Sequence, residues 1–492
     1  MGNKKALVFI VTALAGLFLR WFNPGLKPVS PEEFETLRTA LSGGFPEIFF
    51  SSLAHTGNPP LFYLIQALFL KAAGVSEFSL RLFPALVSAV SLFVFYKLSR
   101  SFFSEKAATI AFIVFAFNPF QFYAGQQAAV YCLAQLSLML CIYYFLISVK
   151  YNAFTFGPFV FWSAVSLYTH HSAVIVLAAM NILMFTYFRE EIRPKQWALS
   201  QVVTAVLWLP LAPGLANNFI FYQPSGGGSV AAIFEAVKIY TFGPAAPQGW
   251  VFWALTAAAL WFILMGAVTR RRIMEKKIEN AVVFIIAAVL VVPWLLSFAT
   301  GFFDPYNLII AAPFIILLFG IGMSYMSEAG MALFMAVFLA AGAYSAVRSH
   351  TAKDFLAPDY ASAYAEAVKQ NTVTVHETER SYAAFEFYAL KNKTGADNRV
   401  YADLQEAELK GAALHIKKAG DLISSKLKLK TNPKQGKIDT PVFEVLARST
   451  GRITLIKEPG RGVFPYPKGF ETAGQKDFRG VRVVLLEKQG GY

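Results

Sequence analysis

The stretch Pro59-Pro60-Leu61-Phe62-Tyr63-Leu64-Ile65-Gln66-Ala67-Leu68-Phe69-Leu70-Lys71-Ala72-Ala73-Gly74-Val75 decides how the rest of this chain is threaded. It is apolar, and a bilayer is crossed by about 20 such residues. Clearer apolar runs lie near 6–22, 79–98, 107–122, 128–148, 154–169, 172–188, 196–214, 250–268, 280–299, 307–325 and 329–347. Lys and Arg collect in short cytoplasmic loops, so charge placement tests whether 59–75 crosses. With a cytoplasmic N-terminus and no crossing at 59–75, the inside loops hold Lys4, Lys5, Lys97, Arg100, Lys106 and Lys150. They also hold Arg189, Arg193, Lys195, Arg270, Arg271, Arg272, Lys276 and Lys277, whereas the outside loops before the tail hold only Lys27, Arg38, Lys71 and Lys238. A crossing at 59–75 would turn every later basic loop outward. The stretch is therefore expected to lie in, or dip into, the outer interface; the alternative is a twelfth span.

Composition agrees with that reading. Of 492 residues 56% are hydrophobic and 15% charged, with 48 Phe, against roughly 25% charged in a soluble domain. A water-soluble enzyme is excluded. The net charge of +14 resembles that of a nucleic-acid binder until the charges are placed. Half the excess falls on residues 348–492, with 24 Lys and Arg against 17 Asp and Glu, and the basic loops explain the rest, so no nucleic-acid partner is expected. Cys132 and Cys141 are nine positions apart in one apolar run, about 13 Å along a helix and too far for a disulfide. No zinc or redox spacing is present. Lys4 and Lys5 precede an apolar run, but no small-residue cleavage site follows Trp21 and Phe22, so a cleaved secretory signal is not expected.

The expected fold is an α-helical polytopic membrane protein with about 11 spans and juxtamembrane helices in the first outer loop. A transmembrane domain over 1–348 precedes a soluble extracytoplasmic α/β domain over 349–492. In the tail, Asp359 is placed to cap an Ala-rich helix. Thr372–Val375, Arg399–Ala402, Arg452–Ile456 and Val481–Leu485 read as strands. Lys426, Lys428, Lys430, Lys434 and Lys437 suit an anionic headgroup or glycan, or form a solvated face. Two outer segments, 23–78 and 215–249, are long enough to be functional or disordered. Gly226-Gly227-Gly228-Ser229 in the second reads as a hinge for a lid or as slack linker.

Candidate chemistry begins at Ser30-Pro31-Glu32-Glu33-Phe34-Glu35. A carboxylate beside apolar surface can act as a proton acceptor, which makes Glu32 and Glu33 candidates. The same residues form a helix start: Ser at the N-cap, Pro at the first helical position and Glu33 closing a capping box. Phe34, Leu37 and Leu41 follow at helical spacing. His170 and His171 fall in a tight turn between two runs, where they could contact phosphate or cap helices. Arg81 opens a span and could hold a phosphate or reach to the headgroups.

With these residues in view, Gly57-Asn58-Pro59-Pro60-Leu61-Phe62-Tyr63-Leu64, Gly74-Val75-Ser76-Glu77 and Arg81-Leu82-Phe83-Pro84 stand in a recognisable order. Asn118-Pro119-Phe120, Gln126-Gln127-Ala128-Ala129-Val130-Tyr131, Tyr168-Thr169-His170, Asp304-Pro305 with Pro313, and Lys353-Asp354 through Tyr364 follow. Together they resemble the C-type (GT-C) membrane glycosyltransferases, in the branch near protein mannosyltransferases and the lipid A aminoarabinose transferase. The resemblance implies transfer of a sugar from a polyprenyl-phosphate donor to a lipid, glycan or protein acceptor at the outer face of the inner membrane. The transfer inverts the sugar carbon. It places the family's Asp-Glu pair on Glu32 and Glu33, and a donor site near Arg81, Asn58, Gln127, Tyr131, His170 and His171.

The departures point elsewhere. Relatives read Gln-Glu-Ala-Arg where this chain has Gln126-Gln127-Ala128-Ala129, and Pro-Arg-Tyr where it has Pro305-Tyr306-Asn307. Asn58 stands where they commonly place His or Lys before Pro-Pro. An amide at Gln127 is a weak ligand for a hard cation, which disfavours a divalent metal. The lost arginines remove phosphate-clamping charge, which Arg81, Lys27, Arg38 or Lys238 could restore. Two readings stay open: a transferase, or a non-catalytic subunit that binds lipid-linked glycan in envelope polysaccharide assembly. A transporter fits less well, because the spans hold few ionisable residues.

Overall fold

A computed structural model describes residues 3–22, 24–25, 27–53, 58–212, 229–268, 273–300, 303–352, 358–370, 372–376, 379–392, 399–401, 452–458 and 470–488. The helices of the first third are α1 (Asn3–Trp21), α2 (Pro31–Ala40), α3 (Phe45–Ser51), α4 (Leu61–Ala73), α5 (Glu77–Phe102), α6 (Glu105–Phe117) and α7 (Pro119–Gly125). The middle holds α8 (Tyr131–Tyr151), α9 (Phe156–Leu167), α10 (Ala173–Thr186), α11 (Pro194–Trp208) and α12 (Val230–Phe242). There follow α13 (Trp250–Val268), α14 (Ile273–Thr300), α15 (Ala312–Met323), α16 (Glu328–Thr351), α17 (Tyr360–Gln370) and α18 (Glu379–Lys391). The chain divides into two compact units. One comprises Met1–Gly25, Thr39–Gly74 and Phe78–Phe355; the other comprises Leu26–Arg38, Val75–Glu77 and Leu356–Tyr492.

Among the described residues of the first unit, α5, α8, α13, α16 and Lys276–Phe298 of α14 are long and apolar enough to cross a membrane, and the bent pair α6–α7 makes a sixth when taken as one span. Their apolar side chains do not all turn inward. Trp250, Trp261 and Val268 on α13, Leu333 and Val347 on α16, and Leu7, Leu14 and Phe18 on α1 are all exposed. Apolar patches on this scale are rare on soluble monomers, and lipid is the solvent that suits them; the chain is a multi-pass membrane protein. The stretch 59–75 forms α4, whose 13 residues span about 20 Å, short of a hydrocarbon core of about 30 Å. The runs 154–169 and 172–188 also give short helices, α9 and α10, of 12 and 14 residues.

The tightest packing lies between α13 and α15, whose backbones touch. A Cβ added at Gly266 would stand 2.0 Å from Leu318 O, and one at Gly322 would stand 2.0 Å from Phe262 O. The paired positions run in opposite directions along the two helices, so each helix presents one glycine to a carbonyl of the other. Small residues allow this approach where helix association in lipid depends on van der Waals contact.

The basic loops carry their own structure. Lys5 pairs with Glu105 at 3.2 Å, Lys277 with Glu191 at 2.5 Å and Lys276 with the buried Glu279 at 2.7 Å. Lys106 donates to Met326 O at 3.2 Å, and Lys150 donates to Ser101 O. Cations near helix C-termini find the last carbonyls in this way.

The second unit is built on a sheet ordered β2-β1-β3-β5-β4. Its strands are β1 (Val373–His376), β2 (Arg399–Tyr401), β3 (Arg452–Lys457), β4 (Phe470–Phe478) and β5 (Val481–Lys488). β1 runs parallel to β2 and β3, whereas β5 is antiparallel to β3 and β4. The four strands expected from β-branched runs are β1, β2, β3 and β5. β4 was not expected, because Phe470-Glu471-Thr472-Ala473-Gly474-Gln475-Lys476-Asp477-Phe478 is polar and mostly exposed at the sheet edge. Asp359 caps α17 as the sequence indicated, its Oδ1 accepting Ser362 N–H at 3.1 Å. Phe34 of α2 lies 6.0 Å from the Tyr360 ring and 5.9 Å from the Phe387 ring. Lys391 pairs with Glu77 at 2.8 Å. These first-loop residues thus pack with the C-terminal segment.

The Gly226–Gly228 hinge, the lysines 426–437 and Lys353-Asp354 lie outside the described residues. The rest of 215–249 differs from the expected loop: α12 occupies 230–242. Ser229 caps it, accepting Ala232 N–H at 3.2 Å, and Gly243 ends it at φ +81°.

Candidate functional site

The first unit gathers the chain's distinctive motifs at the break between α6 and α7, a bend of 52°. Pro119 has no N–H to offer Phe115 O, four residues back, so the helix cannot continue through it. Asn118 then starts α7: its Oδ1 accepts from Phe120 N at 3.0 Å and Gln121 N at 3.1 Å. Its Nδ2 donates to Tyr240 O at 2.9 Å and Thr241 O at 3.2 Å, tying α12 to the break.

The stranded carbonyls on the α6 side are met by Arg20, which is fully buried. Arg20 Nη2 donates to Phe115 O at 3.2 Å, and Nη1 to Ala116 O at 3.0 Å and Gly16 O at 2.9 Å. Nε donates to Ser88 Oγ at 3.0 Å. Nearby, Gln121 and Gln135 exchange amide hydrogen bonds of 3.1 and 2.7 Å. Gln126 donates to Leu19 O and Phe22 O at 3.1 and 3.0 Å, closing the end of α1. Arg20 was not singled out from the sequence, although it is the only charged residue within the run 6–22.

From this frame an aromatic surface is built. The Tyr306 ring lies 6.0 Å from Phe120 and 6.1 Å from both Tyr123 and Tyr131. Tyr240, wholly buried, packs 5.4 Å from Phe120 and donates its hydroxyl to Pro305 O at 2.8 Å. Asp304 closes its own turn by accepting Tyr306 N–H at 2.9 Å. Burial raises its carboxyl above the usual Asp value, partly offset by that bond.

The turn 168–172 completes the cluster. Leu61 N–H donates to Tyr168 O at 3.0 Å, which ties the start of α4, just after Asn58-Pro59-Pro60, to this turn. His170 is buried. Its Nδ1 accepts Ser172 N–H at 3.1 Å and sits 2.6 Å from Ser172 Oγ, which leaves the ring proton on Nε2. The ring is also hydrogen-bonded to the Asn307 side chain.

Burial first, and His171 second, push the His170 imidazolium down to about 4 from 6.5, against a smaller upward pull from Asn307. The folded state therefore binds fewer protons than the unfolded chain between these values. Stability from this group is full above about pH 6.5 and is lost as pH falls through about 4, some 3 kcal/mol in all. Asp304, with its raised carboxyl, contributes with the opposite sign. In detergent, His170→Gln is expected to flatten the fall in melting temperature between pH 6.5 and 4; an unchanged profile would mean that His170 is not held neutral.

Of the residues expected at a donor site, Tyr131 and His170 reach this cluster directly, through Tyr306 and Asn307. Asn58 adjoins it through Leu61. Gln127 is buried in the α7–α8 turn, and His171 is half-buried beside His170. Arg81 is buried with Nη1 donating to Pro24 O at 2.6 Å, which gives it a structural bond. Lys238, another proposed cation, is 1% exposed and held by Glu235 at 3.0 Å, Gln248 at 2.7 Å and the Trp253 ring at 4.4 Å. Glu32 and Glu33 belong to the second unit. Glu33 is buried and its Oε2 accepts Ser30 N–H at 2.8 Å, while Glu33 N–H reaches Ser30 Oγ at 3.4 Å: the capping box. Glu32 is exposed on the first turn of α2. Among the described residues no three of His, Cys, Asp and Glu converge to hold a metal ion.

Residues 57–213 match the family model of dolichyl-phosphate-mannose-protein mannosyltransferases. That segment contains the 58–61, 118–131 and 168–172 stretches. No curated protein sequence matches the chain. In three dimensions it is similar to ArnT from Cupriavidus metallidurans in the apo state, with a TM-score of 0.62 and 12% identity over 98% of each chain. ArnT from the same organism bound to undecaprenyl phosphate gives 0.54 and 12%, covering 99% of this chain and 98% of that one. The Archaeoglobus fulgidus oligosaccharyltransferase tethered with an acceptor peptide gives 0.55 and 12%, covering 93% of this chain and 69% of that one. The fold is thus of the GT-C kind, and the chain resembles the glycosyltransferases that share it.

Proposed function

We propose that the chain is an inner-membrane glycosyltransferase that moves a sugar from a polyprenyl-phosphate donor to an acceptor at the outer face. The observation that carries this reading is that residues 57–213, the segment matched by the mannosyltransferase family, hold the 58–61 and 168–172 stretches joined by Leu61 N–H to Tyr168 O, with Tyr131 and His170 both reaching the 304–307 turn through Tyr306 and Asn307. A neighbour of the same fold bound to undecaprenyl phosphate supports the donor class. In the proposed topology about eleven spans lie within 1–348, the 59–75 helix does not cross, and 349–492 is outside. Charge placement in the loops supports this arrangement.

In the proposed reaction Glu32 takes the proton of the acceptor hydroxyl. The hydroxyl oxygen attacks the anomeric carbon from the face opposite the phosphate, the carbon–oxygen bond to phosphate breaks, and polyprenyl phosphate leaves with the bonding pair. Glu33 positions Glu32 by holding the helix start. Asn58, Gln127, Tyr131, His170 and His171 are proposed to surround the donor. Arg81, with one nitrogen bonded to Pro24 O, is proposed to contact the donor phosphate with them. The acceptor class is a lipid, a glycan or a protein.

Glu32→Gln is expected to lower transfer about 10²- to 10⁴-fold, the usual worth of a general base, with an unchanged melting temperature. Glu33→Gln is expected to cost about 1 kcal/mol of stability, as for a weakened cap, with transfer retained. Near-wild-type turnover in Glu32→Gln removes Glu32 from the mechanism. One set of observations favours a second reading, a glycan-binding assembly subunit: Gln127, Ala129 and Tyr306 are uncharged where relatives carry charge.

A further inference from the structure

The turn 304–307 is held at three points. Asp304 Oδ1 accepts Tyr306 N–H, Pro305 O accepts the Tyr240 hydroxyl, and Asn307 is bonded to His170. Among the described residues the carboxylate takes no other hydrogen bond and pairs with no cation. Its turn neighbour Tyr306 is flanked by Tyr123 and Tyr131, and the three tyrosines and Asp304 are each half-buried, so each keeps part of its surface accessible. One bond from Tyr306 N–H leaves most of the acceptor capacity of a carboxylate unused, and further hydrogen bonds there lower the cost of its partial burial. It can only accept, so its partner must donate.

We propose that Asp304 selects the transferred sugar, its carboxylate accepting a hydrogen bond from a ring substituent while the apolar face of the sugar lies on Tyr306. Two sources offer that donor: the hydroxyl of a neutral sugar and the ammonium of an amino sugar. A flat ring with one apolar face and polar edges suits this arrangement, because aromatic side chains give broad apolar contact and the carboxylate gives a directed, charge-assisted bond. This deepens the transfer reading and rests on it, but its test reads binding and does not require turnover.

The test is saturation-transfer NMR on the full-length protein in nanodiscs. The probes are methyl α-mannoside, methyl α-glucoside, methyl α-arabinoside and methyl glucosaminide. At least one is expected to bind, and Asp304→Asn to weaken it at least about tenfold, the scale of one hydrogen bond to a charged group. The amide oxygen of Asn keeps accepting Tyr306 N–H, so the turn survives; an unchanged melting temperature verifies this. Preference for the glucosaminide in the wild type, lost in Asp304→Asn, identifies an ammonium donor; preference for a neutral glycoside identifies a hydroxyl. Tyr306→Phe is expected to retain binding and Tyr306→Leu to lose it. Equal binding by Asp304→Asn, or no glycoside bound by the wild type, overturns the proposal. Selective binding without any sugar transfer would uphold it while sinking the transferase reading. Transfer with unaltered sugar preference in Asp304→Asn would do the reverse.

Discussion

Gly266→Ala and Gly322→Ala are each expected to yield no monodisperse folded protein. The added methyl carbon would stand 2.0 Å from Leu318 O or Phe262 O, and 2.9 or 2.8 Å from the corresponding carbonyl carbons. Both obstacles are backbone in helix interiors, so no rotamer change relieves the clash. The helices α13 and α15 must separate by more than 1 Å, and that gap would remove dispersion contacts along their whole seam. Overpacking of an ordinary core costs about 1–3 kcal/mol; here two rigid backbones collide, and the effect is larger. Gly157→Ala is the control, since nothing lies within 4 Å of its added carbon. Size-exclusion profiles of the three variants check this, and a normal profile for Gly322→Ala would show that the two helices do not touch there.

Arg20→Met is expected to be nearly as severe. It keeps an apolar chain of similar length in α1 but withdraws the donors that satisfy Phe115 O, Ala116 O and Gly16 O. The first two carbonyls have no helical partner, because Pro119 lacks an N–H and Phe120 N–H is committed to Asn118. Each buried orphan costs about 1–3 kcal/mol, so the two amount to roughly 2–6 kcal/mol. The break between α6 and α7 sets the positions of Phe120, Tyr123 and, through Asn118, Tyr240. Arg20→Lys offers one nitrogen in place of three and is expected to recover only part of the stability. A melting temperature for Arg20→Met within error of wild type would show that the guanidinium does not hold the break.

Much of the architecture is legible in the residues because it follows from solvent. The capping box at Ser30 and Glu33 and the Asp359 cap depend on local chemistry, and each is found where the spacing puts it, whereas the apolar runs 154–169 and 172–188 fold into helices of only 12 and 14 residues. The β-branched strands are equally local, whereas β4 is a polar edge held by its ladder to β5, which no single-strand pattern reveals. Helix α12 was obscured by the glycines before it, although Ser229 and Gly243 punctuate it correctly. Arg20 could have been noticed as a lone cation in an apolar run, a feature that calls for a buried partner.

The site itself was harder to read. Asn118-Pro119 reads as a family signature, but its physical work is to start α7, which is local, and to hold α12, whose Tyr240 and Thr241 carbonyls are 122 and 123 positions away. Arg81 and Lys238 carry the charge expected of a phosphate clamp, yet they are bound to Pro24 O and to the Glu235–Gln248–Trp253 group. Side-chain identity gives the capacity to bind phosphate, and the fold adds the partners that each cation already holds. The tyrosines around Tyr306 come from α7, α8 and the 304–307 turn, and no spacing in the chain brings them together.

Sugar transfer from a polyprenyl phosphate releases the lipid phosphate, which can be followed directly. The most direct measurement incubates the purified protein in nanodiscs with a panel of radiolabelled polyprenyl-phosphate sugars and envelope acceptors. It follows release of polyprenyl phosphate in the wild type and in Glu32→Gln. Release from one donor, lost in Glu32→Gln, is the predicted result. Donor binding with no release from any donor, in the presence of lipid, glycan and protein acceptors, would contradict the transferase and leave a binding subunit in its place.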